Sequence, residues 1–324
     1  MIIDCHGHLV PPGLIAEIRE NAPAFPSLRL VPHGDAFGMS FAGSKATRPV
    51  SRPLTDFAGR IQWMNEQKID LQMVGGWLDL SGYELPIEEG VRWARLANRH
   101  MLAAAKEQPR FLPLATVPLQ DGVQAAAVLR EAHAQGFKGT MIGTQPKGIG
   151  GVLDDPSLDP FWMAADELGS ILFIHPVFES GDNRVHEYGM ANAVGRVTDT
   201  LIAISRIIYS GHVLRYQNAK IVIGIGGAAL PYVAGRLRRN YTLDQSLGHP
   251  DESLALLYYD TLVQDPRILR FLADTVGAGR IMMGSDMPFP IGDPEPMKVV
   301  AAAGFSPSEI ASINGGLAGK LLGN

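Results

Sequence analysis

Short apolar runs alternate with helix-forming segments almost from one end of the chain to the other, and that alternation leaves few folds open. Runs over 2–5, 71–75, 111–117, 139–142, 171–175, 219–225, 255–260 and 280–283 have the length of strands, and most are apolar throughout rather than on every second residue. Strands read that way when both faces are covered, as in parallel sheets flanked by helices. Helices are expected over 57–67, 87–108, 123–135, 158–168, 199–210 and 265–275. A terminal helix opens over 306–313, where Pro307 suits the first turn. Eight strand–helix units predict a (β/α)8 TIM barrel. A doubly wound open sheet is the alternative, and the lack of a Gly-rich dinucleotide turn speaks against it. A chain of 324 residues fits one such barrel, so a single domain over 1–324 is expected. The stretch from 23 to 53 holds Pro, Gly, Ser and Phe without a sustained period. It reads as a small insertion after strand 1, lying over the barrel mouth.

Composition narrows the function classes. With 46% hydrophobic and 19% charged residues the chain is an ordinary globular mixture. Twenty-eight basic residues against 33 acidic ones, a formal charge of -5, argue against a nucleic-acid partner. Cys5 is the one cysteine, so neither an intramolecular disulfide nor a Cys-rich zinc site is available. The opening MIIDCHGH lacks a basic, long apolar leader, and the apolar stretch 221–235 is short and broken by glycines and Pro231. Neither a secretory signal nor a membrane span is expected, and a soluble cytoplasmic protein is.

Chemistry concentrates at the carboxyl ends of the predicted strands. His6 and His8 end strand 1, and residues two apart on a strand share a face, so both imidazoles can reach one cation. His175 closes strand 5 in ILFIHP, and Asp286 follows strand 8 in IMMGSDMPFP. Each alone has an ordinary structural reading: a turn histidine, a satisfied core histidine, a cap aspartate. Together they lie on the face where barrel enzymes build their active sites. Three histidines and one aspartate suit a single divalent ion, Zn²⁺ or, as the alternative, Mn²⁺. Trp77, Tyr83, Phe178 and Phe289 fall near the same mouth and suit the walls of a flat substrate pocket, or ordinary packing.

The HGH motif, the strand-5 HP and GSDMPFP resemble the amidohydrolase superfamily, and within it the aminocarboxymuconate-semialdehyde decarboxylase group. The resemblance spans nearly the whole chain. The opening IIDCHGH is also similar to 4-oxalomesaconate hydratases of that group. The resemblance implies that His6, His8, His175 and Asp286 hold one metal ion. It also implies that Arg48 and Arg236 bind the substrate carboxylate, the latter across the interface of a homodimer. Arginine suits that task because its planar fork meets a carboxylate with two hydrogen bonds. Strand 4 carries no lysine at its mouth end, since Lys138 precedes it, and a mononuclear site follows.

One departure bears on mechanism. Where the family usually has His-Gly-Gly-Gly after strand 6, this chain has Ile225-Gly226-Gly227-Ala228. The family's proton-handling histidine is absent, and isoleucine has no titratable group. Asp286 is then expected to manage the proton with the metal, or a loop residue, His186 or Glu179, takes the missing place. The function expected is a metal-dependent decarboxylase acting on a small unsaturated or aromatic carboxylic acid. The alternatives are a hydratase or hydrolase using metal-activated water, and an inactivated member that keeps its metal site.

Overall fold

The computed structural model describes residues 1–177 and 181–323. Its strands run β1 (Ile3–Leu9), β2 (Leu28–His33), β3 (Ala36–Phe41), β4 (Leu71–Gly76), β5 (Phe111–Pro113), β6 (Gly139–Gly143), β7 (Ile171–His175), β8 (Lys220–Ile223), β9 (Tyr258–Asp260) and β10 (Ile281–Met282). β2 and β3 form an antiparallel hairpin. The other eight pair in parallel as two arcs, β1-β4-β5 and β10-β9-β8-β7-β6. Hydrogen bonds join the arcs at both seams. The Met141 N–H donates to Ala115 O (3.1 Å), and the Cys5 N–H donates to Met283 O (2.8 Å). The ring expected from the eight apolar runs is therefore present.

Both faces of these strands are covered, which is why their sequences do not alternate. Ile3, Cys5, Met73, Met141, Phe173, Val222 and Met282 fill the ring. The last helix, Leu317–Leu322, closes its amino-terminal end with Leu317, Leu321 and Leu322. Val74, Ile142, Leu172, Ile174, Ile221 and Ile223 point the other way, into the layer shared with the surrounding helices. The carboxyl ends stay clear of this packing and carry the polar residues.

β1 needs one irregularity to serve the mouth. Asp4 pairs with Gln72 and Gly7 with Val74, so three steps on β1 oppose two on β4. Such a bulge shifts the side-chain phase by one residue. Ile3 and Cys5 face the ring interior below it, and His6 and His8 face the interior above it. Gly7 points outward, where a Cβ would lie 2.6 Å from the Gln72 side chain. A glycine between the two histidines is thus a steric requirement.

The elements differ from expectation where local pattern was weak. The insertion contains the β2–β3 hairpin, whose first strand carries Pro32 and is exposed or half-exposed except at Leu28. The run 111–117 is a strand only to Pro113. The run 255–260 begins inside the helix Pro250–Leu256, and only Tyr258–Asp260 is strand. The helix expected from 199 starts at Arg196, after a π-helical turn over Ala191–Gly195.

Behind β1 lies a buried polar chain. The Asp4 carboxylate accepts from the His6 N–H (3.0 Å), Gln72 Nε2 (2.7 Å) and the Ser285 N–H (3.0 Å). Arg60 donates to Gln72 Oε1 (2.6 Å) and to the His8 carbonyl (3.0 Å). Burial pulls the Arg60 guanidinium down to about 10, against the opposing pull of Asp4. Removing one member strands the other charge in the interior. Arg60→Ala is expected to cost about 3–5 kcal/mol. A thermal melt reads this as a midpoint lowered by several degrees, whereas an exposed arginine such as Arg52 changed to Ala shifts it little.

Candidate metal centre

β1, β7 and the turn after β10 bring His6, His8, His175 and Asp286 together, all buried, with one ligand atom from each within 4.8 Å of all the others. On β7, strand alternation places His175 on the same face as Ile171 and Phe173. The Phe173 ring lies 4.6 Å from His6. Asp286 has φ +58°, a left-handed conformation that aspartate tolerates. Its N–H donates to His6 O (2.8 Å), locking the turn against β1.

Each imidazole is oriented from behind. His6 Nδ1 meets Asp260 Oδ2 at 2.6 Å, His8 Nδ1 meets the Gly76 carbonyl at 3.3 Å, and His175 Nδ1 meets the Pro176 carbonyl at 2.7 Å. Those partners are acceptors, so the three rings carry their protons on Nδ1 and turn Nε2 inward. His6 Nε2 and His8 Nε2 stand 3.3 Å apart. Asp286 Oδ1 lies 3.0, 3.4 and 3.9 Å from the Nε2 atoms of His8, His6 and His175. It nevertheless makes no directed hydrogen bond, although it is fully buried. Lone pairs aimed at one point are stable around a cation, and the donor set fits a single divalent ion.

The charge states agree. Burial, the largest effect, depresses His8 and pushes His175 down to about 3, so both rings are neutral near pH 7. Burial also opposes charge on His6, but Asp286 and Asp260 together raise it. Burial would lift Asp286, yet His6, His175 and His8 outweigh it and hold the carboxyl well below the usual range. Lys138 is exposed and precedes β6, and this cluster is the one such group among the described residues.

Asp260 also builds the turn after β8. Its Oδ1 accepts from the Gly226 N–H (2.6 Å) and the Leu262 N–H (3.1 Å), and its Oδ2 accepts from the Ile225 N–H (3.1 Å). Ile225 adopts φ 49°, ψ 45°, a left-handed geometry in which a β-branched residue is an outlier. Strain of this kind persists only where the surroundings enforce it. Gly227, at φ +72°, leaves no room for a Cβ, which would lie 2.6 Å from the Tyr259 ring.

The remaining candidates divide. Arg48 pairs with Asp79 (3.2 Å) and lies 5.3 Å over the Trp77 ring. Phe289 is 6.4 Å from Trp77 and 5.1 Å from His8. These three residues therefore flank the cluster. Tyr83 is buried and accepts a hydrogen bond from the Gly143 N–H (3.1 Å), which makes it a brace of the rim. His186 sits exposed after the turn Asn183–Val185, outside the buried cluster. Arg236 is exposed on the helix Leu230–Leu243. Phe178 and Glu179 lie outside the described residues. Sequence reasoning missed the roles of Asp260, Asp4, Arg60 and Gln72. Alternation on β9 was the available signal for Asp260. The others have no local signature.

Asp260→Asn is expected to weaken metal binding by roughly 10–100-fold through the loss of His6 orientation. Competition with a chromogenic chelator measures it, and an unchanged affinity would refute the role given to Asp260.

The amidohydrolase family model matches residues 3–323. The 2-amino-3-carboxymuconate-6-semialdehyde decarboxylase of Dictyostelium discoideum is 28% identical over 330 residues, covering 99% of this chain and 91% of that protein. The 5-carboxyvanillate decarboxylase of Sphingomonas paucimobilis has the same fold, with a TM-score of 0.82 at 23% identity over 99% of this chain and 98% of that one. The 5-carboxyvanillate decarboxylase of Novosphingobium aromaticivorans, solved with manganese and 4-hydroxy-3-methoxy-5-nitrobenzoic acid, gives a TM-score of 0.81 at 20% identity, over 100% of this chain and 96% of that one. The family match begins on β1 and ends in the helix that closes the barrel, so the whole ring and its histidine–aspartate cluster fall within it: the chain is a member of the amidohydrolase family.

Proposed function

We propose that this protein is a metal-dependent decarboxylase, a carboxy-lyase that removes CO₂ from a small unsaturated or aromatic carboxylic acid. The observation that carries the reading is the one-ion donor set opening beside Arg48, Trp77 and Phe289. Similarity to proteins named as decarboxylases supports the choice of lyase over hydratase or hydrolase. A divalent ion held by His6, His8, His175 and Asp286 supplies Lewis acidity and a fixed positive charge against a substrate oxygen. Zn²⁺ is the ion proposed on the nitrogen-rich donor set, and the manganese in the Novosphingobium structure makes Mn²⁺ the competitor to test.

The chain's own groups bind and orient. Trp77 and Phe289 offer aromatic faces to a flat acid, and the Arg48 fork meets a carboxylate. Replacing the leaving CO₂ requires one proton on the carbon that bore it. Ile225 cannot provide it. Asp286 is the one carboxylate of the cluster and the proposed carrier. It is ionised at rest, so it must first take the proton from the substrate before returning it to carbon. Arg236, exposed one turn from the 84% exposed Tyr232, is proposed to serve the neighbouring protomer of a homodimer. The setting proposed is the cytoplasm.

Protein stripped of metal is expected to release no CO₂ from a panel of aromatic and unsaturated acids, and to recover with one equivalent of Zn²⁺ or Mn²⁺. In that assay Asp286→Asn should remove turnover. Ile225→Ala should stay within about tenfold of the parent, less than the 10²–10⁴-fold of a lost acid–base group. Metal and acid bound without CO₂ from any member of the panel would overturn the reading in favour of an inactive or water-adding relative.

A further inference from the structure

His175 takes its orientation from a single backbone carbonyl, that of Pro176, 2.7 Å from Nδ1. A carbonyl in a segment leaving a strand end fixes a ring only if its own peptide is fixed. The Pro176 carbonyl and the Val177 N–H belong to one planar unit, which is trans, so they point in opposite directions. The Val177 N–H donates to Thr144 Oγ1 (3.3 Å), the first residue past β6. The Thr144 hydroxyl in turn donates to Asp199 Oδ2. Gln145 Nε2 donates to Asp199 Oδ1 (2.8 Å), and Gln145 Oε1 accepts from the Gly150 N–H (2.7 Å). Thr144 and Asp199 are both buried, and Asp199 lies in the first turn of the helix Arg196–Tyr209. One carboxylate therefore gathers the segments that leave β6 and β7.

The bonds from His175 outward all run the same way. Nδ1–H donates to the Pro176 carbonyl, the far side of that peptide donates to Thr144, and Thr144 donates to Asp199. The negative charge stands at the end of the series, where each bond polarises the next. Burial raises the Asp199 carboxyl, and the bonds from Thr144, Gln145 and the Val177 N–H oppose that rise. Donors of this kind favour the ionised form. His6 has its carboxylate, Asp260, in direct contact with Nδ1. His175 has one at the far end of a peptide and a hydroxyl. We propose that Asp199 is a positioning residue for His175: through Thr144 and the Pro176–Val177 peptide it sets the direction of Nε2 and strengthens the ring as a metal ligand. This rests on the cluster holding an ion, and not on decarboxylation.

NMR of the full chain carrying isotope-labelled histidine reads the Nδ1 proton of His175, in metal-free and in Zn²⁺-loaded protein. Thr144→Val keeps the shape and removes the hydroxyl, Thr144→Ser keeps the hydroxyl, and Asp199→Asn removes the charge. The His175 Nδ1 proton should move upfield in Thr144→Val and Asp199→Asn and stay near wild type in Thr144→Ser, with the His6 and His8 resonances unmoved. Chelator competition should show Zn²⁺ affinity about tenfold lower in the first two variants, the low end for an outer support of a ligand, and near wild type in Thr144→Ser. Equal movement of all three rings, or equal loss of affinity in Thr144→Val and Thr144→Ser, would make Asp199 a general brace and overturn the proposal. An unmoved His175 proton in both Thr144→Val and Asp199→Asn would also overturn it. A chain that bound no Zn²⁺ would overturn the metal centre and with it the ligand role given to His175. The His175 response in metal-free protein would still decide whether Asp199 positions that ring.

Discussion

The Asp260 carboxylate is the joint on which the mouth of this barrel depends. One buried side chain faces the ring interior from β9 and meets four residues on three segments. It holds His6 Nδ1, and so directs His6 Nε2 toward the other ligands. It accepts the amides of Ile225 and Gly226, and so holds a left-handed turn that isoleucine would not adopt unaided. It accepts the Leu262 N–H and caps its own strand end. A metal ligand, a strained turn and a strand terminus thus share one charge. Buried networks of this kind are rigid when every member is satisfied and costly when one is missing.

A second polar layer supports the first from outside the ring. The bulge in β1 sends Asp4 outward and His6 and His8 inward, and Asp4 then ties the start of β1 to the Ser285 turn that presents Asp286. Arg60 and Gln72 compensate the buried Asp4 charge and hold the His8 carbonyl. Three of the four ligands therefore answer to one chain of hydrogen bonds. His175 is independent of it: alternation on β7 places the ring, and the Pro176 carbonyl orients it.

How much of this was legible in the sequence depends on the range of the interactions. The eight parallel strands were, because burial on both faces leaves continuous apolar runs that need no partner to be noticed. His6, His8, His175 and Asp286 were, because each ends such a run. The bulge was not, since a strand with consecutive inward residues looks like any apolar stretch until Gly7 is seen against Gln72. The β2–β3 hairpin was hidden by Pro32 and by the largely solvent-facing β2, while its partner strand buries Met39 and Phe41. For His186, the position shortly after β7 suggested the mouth, and the residue sits exposed beside the turn Asn183–Val185.

The central claim is that inward-facing nitrogens, set by hydrogen bonds from behind, make a site for one metal ion at the mouth. Anomalous X-ray diffraction from crystals of the Mn²⁺- or Zn²⁺-loaded protein tests it directly. The account predicts a single anomalous peak bonded to Nε2 of His6, His8 and His175 and to Oδ1 of Asp286, at about 2.0–2.2 Å for zinc. A peak bonded to fewer than three of these residues, a second ion beside the first, or no peak in protein that binds metal in solution would contradict it.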